Sequence, residues 1–447
     1  MQKYLFKNIQ VVNEGKIRHL DILTSNDRIE KIDSSLNVKG NVREINGENK
    51  YLFPGIIDDQ VHFREPGLEH KADIYTESRA AVAGGVTSFM EMPNTLPNAL
   101  THKLLEDKYK LAMQKSLANY SFYMGVSNDN AAEVLSINKF KNDICGVKIF
   151  MGSSTGNMLV NNHATLNTIF SESELLIATH CEDETIIKKN YEELLRLKRD
   201  LGPEDHPIIR DDTACFESSL VAIQFAKKYN SRLHILHIST EKELQLFSNM
   251  LPLRDKMITS EVCVHHLHFT SDDYAELGYK IKCNPAIKSA NNKKALWQAL
   301  LDDRLDVIAT DHAPHLLSEK APPYEKAHAG MPLIQHPLLL MLQYYKEGII
   351  TLEKIAQKMS HAVADCFQIK DRGYIREGYF ADLVIADLSA TTRVTKNNVL
   401  YKCGWSPFEG KTFPAAITHT MVNGNVVYEN GSVNESYRGK RLEFNRG

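Results

Sequence analysis

Five side chains that can bind a metal ion or move a proton stand at the ends of separate apolar runs: His62, Lys148, His180, His237 and Asp311. Neutral imidazole is the commonest ligand for zinc-like ions. A carboxylate such as Asp311 can hold such an ion and also take a proton from water beside it. Lys148 lies in Gly146-Val147-Lys148-Ile149-Phe150, an otherwise apolar stretch. A buried ammonium is costly. A neutral amine there can react with carbon dioxide to give a carbamate, an anionic ligand able to bridge two ions. Taken singly, each residue has a blander reading. A lone histidine at a strand end is usually a satisfied polar group, and a lysine there usually snorkels to solvent. Taken together, their order along the chain favours the chemistry.

The stretch from Pro54 to Gly67 reads PGIIDDQVHFREPG. Strand side chains alternate, so Asp58, Gln60 and His62 are expected on one face, aimed at one metal. Arg64 follows and offers a planar fork to a carboxylate. Its bland alternative is a surface ion pair.

These residues need a scaffold. Apolar, β-branched stretches recur at 52–57, 86–92, 120–126, 146–151, 175–179, 233–238, 258–264 and 305–309. Helix-like stretches, such as 103–116, 186–199 and 216–229, separate most of them. Eight buried strands alternating with helices predict a (β/α)8 TIM barrel in an α/β chain. Polar chemistry follows nearly every strand, at the face where barrel active sites lie. Short strands at 4–12, 21–23 and 29–32 and others at 381–386 and 418–422, with an Asn423-Gly424 hairpin signal, predict a second unit. The expected organisation is a β-sandwich lobe from 1–52 and 370–447, with the catalytic barrel at 53–369.

Composition fits this reading. The 447 residues, 43% apolar, suffice for a large barrel core plus a lobe. The net charge of −3 is spread through the chain, which argues against nucleic-acid and membrane-surface partners. No apolar run reaches the roughly 18 residues of a membrane span. Seven scattered cysteines, with no CxxC pair, suit reduced thiols in the cytoplasm.

Six further motifs narrow the chemistry: His62-Phe63-Arg64-Glu65-Pro66-Gly67, Glu91-Met92-Pro93-Asn94-Thr95, His206-Pro207 with Ile209-Arg210, Lys282-Cys283-Asn284-Pro285, Asp311-His312-Ala313-Pro314-His315 and Ala329-Gly330-Met331-Pro332. With the five residues above, they resemble the dihydroorotases of the amidohydrolase superfamily over nearly the whole chain. The resemblance implies reversible hydrolysis of dihydroorotate to N-carbamoyl-L-aspartate in pyrimidine synthesis. It implies one or two zinc ions held by His62, Lys148, His180, His237 and Asp311, with Lys148 carboxylated. Asp311 is then the general base for a metal-activated water. Arg64, Asn94 and His315 match the contacts to the substrate carboxylate, and Asn284 a contact to the pyrimidine ring. The segment 315–331 is long for a barrel loop, which makes it a candidate lid. A homodimer is the family's expectation.

One departure stands out. The family carries His-x-His on the first strand, and here Gln60 holds the first position. An amide oxygen is a weaker zinc ligand than imidazole. Three outcomes stay open: loss of one metal, weak coordination by Gln60 or Asp58, or an inactive site. Two alternatives to a dihydroorotase follow. An allantoinase or dihydropyrimidinase would share the metal site, although its substrates lack the carboxylate that Arg64 and Asn94 suit. A non-catalytic scaffold beside an aspartate transcarbamoylase would need no metal. Of His265, His266 and His268, the sequence does not say which faces the site, and His268 reads as packing.

Overall fold

The structure, a computed structural model, describes residues 2–152, 158–197 and 200–447. Eight parallel strands form its centre: β1 (Ile56–Val61), β2 (Val86–Glu91), β3 (Asn119–Gly125), β4 (Gly146–Phe150), β5 (Ile177–His180), β6 (Leu233–Ile235), β7 (Ile258–Cys263) and β8 (Val307–Ala309). They pair in chain order. The barrel closes where Val61 bridges His312, and the His62 N–H donates to the His312 carbonyl at 2.7 Å. This is the expected TIM barrel. Strands β2 to β8 fall where the apolar runs placed them. Their β-branched and aromatic residues, among them Phe89, Phe122, Val147, Ile177, Ile235, Val262 and Ile308, join one continuous core.

The first strand needs a correction. The apolar run 52–57 is two elements rather than one. Tyr51–Pro54 belongs to the outer sheet, and β1 starts at Ile56. Gly55 lies between them, and a Cβ there would overlap Thr87 Oγ1 at 2.2 Å. Sequence cannot divide two apolar strands separated by a single residue.

Helices wrap the barrel and are capped as their sequences suggest. The helix Glu184–Arg196 begins at Asp183, whose carboxylate accepts from the Thr185 and Ile186 N–H groups. The helix-like stretch 186–199 falls in this helix as far as Arg196, and residues 198 and 199 lie outside those described. Asp211 caps Asp212–Tyr229 in the same way.

Both chain ends build one nine-stranded sheet. It takes Lys3–Asn13, Lys16–Ser25, Arg28–Asp33, Arg43–Asn46 and Tyr51–Pro54 from the start, and Leu383–Asp387, Ala416–Val422, Asn425–Glu429 and Ser432–Val433 from the end. The Asn423-Gly424 turn has positive φ at both residues, as a two-residue hairpin needs. A Cβ on Gly424 would meet the Asn26 carbonyl oxygen at 1.7 Å. Among the described residues no helix is long and apolar enough to cross a membrane.

Candidate active site

The carboxyl ends of the strands open on a cavity of about 360 Å³. Its lining includes all ten residues expected to serve the site: Gln60, His62, Arg64, Asn94, Lys148, His180, His237, Asn284, Asp311 and His315. They come from β1, β4 and β5 and from the segments after β1, β2, β6, β7 and β8, so the fold alone assembles them.

Three of these residues hold backbone angles that non-glycine residues rarely adopt. Arg64, His237 and Asp311 have φ of 71°, 43° and 47°. Such strain persists only where the surroundings over-determine it, and it concentrates at functional sites. For His237 the support is visible: its N–H donates to the buried Glu261 carboxylate at 3.0 Å.

Two pairs of polar atoms converge on the cavity floor. His62 Nδ1 lies 2.8 Å from Asn94 Oδ1, an acceptor, so the ring proton sits on Nδ1. His62 Nε2 then presents a lone pair to Asp311 Oδ1, 3.1 Å away. Across the floor, His180 Nε2 lies 2.9 Å from the Glu182 carboxylate, so its proton sits there. The bare His180 Nδ1 faces His237 Nε2 at 2.9 Å. Burial lowers the pKa of His62 and takes that of His237 well below the ordinary value, which keeps their rings neutral. Ligand atoms gathered in close pairs, with the outer nitrogens of His62 and His180 held by Asn94 and Glu182, are what metal-binding histidines and their supports look like.

Lys148 completes this floor. Its side chain is buried, its amine has no hydrogen-bond partner among the described residues, and Nζ lies 4.5 Å from the Phe150 ring centroid. Burial lowers its pKa to about 7, despite the opposing attraction of Cys181, Glu261 and Asp311. A reactive, neutral amine is therefore available near neutral pH.

The opposite wall is cationic. Arg64 is buried; burial lowers its pKa to about 10, and it stays charged at neutral pH. Its guanidinium donates to the Pro314 carbonyl and reaches His315 Nε2 at 3.0 Å. Lys71 Nζ stands 3.3 Å from His315 Nδ1 and 3.2 Å from Glu319. Asn284 is oriented by His206, whose Nε2 lies 3.0 Å from Asn284 Oδ1. That leaves the Asn284 NH2 as the end with donors to offer. The segment 315–331 folds over this wall. Its His328, Ala329 and Gly330 line the cavity, and Ala313 N–H bonds to the Met331 carbonyl at 3.0 Å.

Two expectations change. Asp58 does not share the cavity with Gln60 and His62. Pairing with β2 shifts register between Asp58 and Val61, and Asp58 instead accepts from Thr310 Oγ1 at 2.6 Å and Thr310 N at 3.2 Å. Gln60 lines the cavity but spends its NH2 on Asp311 Oδ1 at 3.1 Å and turns Oε1 toward Cys263. Of the three histidines after β7, none lines the cavity. His268 packs on Phe269 and Phe408 and bonds Tyr344.

The structure adds three residues to the site: Glu182, Lys71 and His328. Glu182 follows His180 by two positions, and the motif His-Cys-Glu was its signal. Its carboxyl, although burial opposes this, is held at about 2 by Arg210 and His180. Lys71 and His328 reach the cavity from loops, and nothing local in the sequence marks them.

The profile of the amidohydrolase family matches residues 51–427. The chain is 32% identical to a dihydroorotase of Methanosarcina acetivorans, over 98% of this chain and 94% of that one. It is 32% identical to a dihydroorotase of Pyrococcus furiosus, over 97% and 96%. Among solved structures, an L-hydantoinase (dihydropyrimidinase) of Arthrobacter aurescens superposes with a TM-score of 0.91, at 26% identity, over 97% of this chain and 98% of that one. A dihydropyrimidinase of Brevibacillus agri gives 0.89 at 22% identity, over the full length of both, which speaks for the fold.

Proposed function

The protein belongs to the amidohydrolase family and is a hydrolase, and from that premise we propose that it opens and closes the dihydroorotate ring, interconverting dihydroorotate and N-carbamoyl-L-aspartate. One observation carries the reading. A buried arginine and a buried lysine face the same cavity as the His62, Lys148, His180, His237 and Asp311 set. Cyclic-amide hydrolysis needs the second group. Only a substrate with a free carboxylate needs the first. Hydantoins and dihydropyrimidines without that carboxylate would leave the buried Arg64 cation unanswered, which is costly.

The donors fit a divalent ion of the zinc class. His180 and His237 present facing nitrogens, and so do His62 and Asp311 in their nitrogen and oxygen. Lys148, as a carbamate, would join the two groups of ligands. When bound, such ions polarise a carbonyl and lower the pKa of water. The chain's own groups do the rest. Arg64 and Asn94 grip the carboxylate, His315 holds the Arg64 guanidinium until it arrives, and Asn284 offers its NH2 to a ring carbonyl. Asp311 takes the proton of the attacking water. Water oxygen bonds to the ring carbonyl carbon, the ring C–N bond breaks, and Asp311 returns the proton to the leaving nitrogen. Ring closure runs the same steps backwards. The 315–331 segment keeps bulk water from the cavity.

The His315 tautomer gives a detail of carboxylate capture. Its Nδ1 lies 3.4 Å from Glu319 and carries the ring proton, while Nε2 accepts from Arg64. An arriving carboxylate replaces this internal acceptor for Arg64. The test is direct: the purified, zinc-loaded protein should consume dihydroorotate, and chelation should abolish this reversibly. Metal-loaded protein without turnover in either direction would refute the reading.

A further inference from the structure

We propose that Cys263, His265 and His266 form a second metal site, separate from the cavity, that holds a zinc-class ion against the end of β7. The three residues are buried, and one ligand atom from each lies within 4.8 Å of the others. None lines the cavity. Thiolate with two imidazoles is a soft donor set of the kind that selects zinc.

The orphaned nitrogens point the same way. Buried polar side chains almost always find a partner. Among the described residues, both ring nitrogens of His265 and Nδ1 of His266 have none. His266 is the clearer case. Its Nε2–H donates to the Pro285 carbonyl at 3.1 Å, which leaves Nδ1 as a bare acceptor. That division is how ligating histidines are usually oriented: one nitrogen on a backbone carbonyl, the other on the ion. His265 has the Thr310 backbone beside it, without a normal hydrogen bond. The two rings lie 4.1 Å apart between centroids, tilted by 46°.

Cys263 supplies the anion, and its surroundings supply the need for a cation. Sγ lies 3.5 Å from a Glu261 carboxylate oxygen and 3.7 Å from Gln60 Oε1. Without an ion the thiol keeps its proton, because burial and the neighbouring carboxylates of Glu261, Asp311 and Asp58 push its pKa well up. A dication reverses that balance and releases the proton. Glu261 Oε1 is then the nearest fourth donor, with Gln60 Oε1 just beyond it. The same amide donates to Asp311, so an ion here would brace the base from behind. This site stands whether or not the cavity acts on dihydroorotate.

Cobalt replacement tests it. The full-length protein loaded with Co2+ should show a thiolate-to-cobalt charge-transfer band in the near ultraviolet. The band should persist in His180→Asn, which weakens the cavity set. It should vanish in Cys263→Ser, and zinc content should drop by one equivalent. His266→Gln keeps a donor for Pro285 and should lose the ion as well, which decides the matter if Cys263→Ser fails to fold. No thiolate band in the wild type under excess cobalt would overturn the proposal. So would a band, or unchanged zinc content, that survives Cys263→Ser or His266→Gln.

Discussion

Replacing Lys148 by methionine tests how this barrel keeps an amine ready for chemistry. The side chain is buried, and burial lowers its pKa from 10.5 to about 7. That displacement corresponds to about 5 kcal/mol against the ammonium form. The sign follows from linkage. The unfolded chain keeps its lysine protonated up to about 10.5, and the folded protein only up to about 7. The unfolded state therefore binds more protons between these values, and the metal-free protein gains stability as pH rises through that window. Methionine removes the cost. Lys148→Met should thus stabilise the chelator-treated protein by up to about 5 kcal/mol at pH 6, falling to about 2 kcal/mol at pH 9. Urea unfolding of both proteins at the two pH values measures this. The same variant should bind less metal and lose turnover. A gain that does not change with pH, or a destabilised variant at pH 6, would refute the buried neutral amine and the carbamate built on it.

Three further substitutions probe the cavity. Asp311→Asn should fold and lose at least about 100-fold in kcat, since an amide cannot accept the proton; near-normal turnover would move the proton transfer elsewhere. Arg64→Ala should raise the KM for dihydroorotate roughly 10- to 150-fold, the worth of a charge-assisted contact of about 1.5–3 kcal/mol, with metal content unchanged. An unaltered KM would remove Arg64 from the carboxylate site. Gln60→His should tighten the weaker of two metal positions by at least about 10-fold, judged by metal titration. Equal, unchanged affinities would mean that another ligand already compensates, and absence of any metal binding by the wild type would favour the scaffold alternative.

Much of the site was legible because His62, Lys148, His180, His237 and Asp311 each stand in or just past the end of an apolar strand. A polar residue such as His180 or Asp311, after a β-branched run and before a loop, is visible without coordinates. What was hidden depends on register and on distant chain. Asp58 shares the spacing of Gln60 and His62, yet the shifted pairing of β1 sends it to Thr310. Gln60 has a ligand's place in the sequence, but the structure gives its NH2 to Asp311. The run 52–57 reads as one strand because two sheets meet there, and hydrophobicity does not record which sheet owns a residue. Lys71 and His328 join the cavity only once their loops fold over it.

Substrate choice tests the central claim most directly. Dihydroorotate and dihydrouracil share the scissile ring and differ by the carboxylate that Arg64 would hold. Side-by-side kcat/KM values for the zinc-loaded wild type should favour dihydroorotate by roughly 10-fold or more, in line with the charge-assisted contact. Equal values, or a preference for dihydrouracil, would contradict the account and move the protein toward the dihydropyrimidinases whose fold it shares.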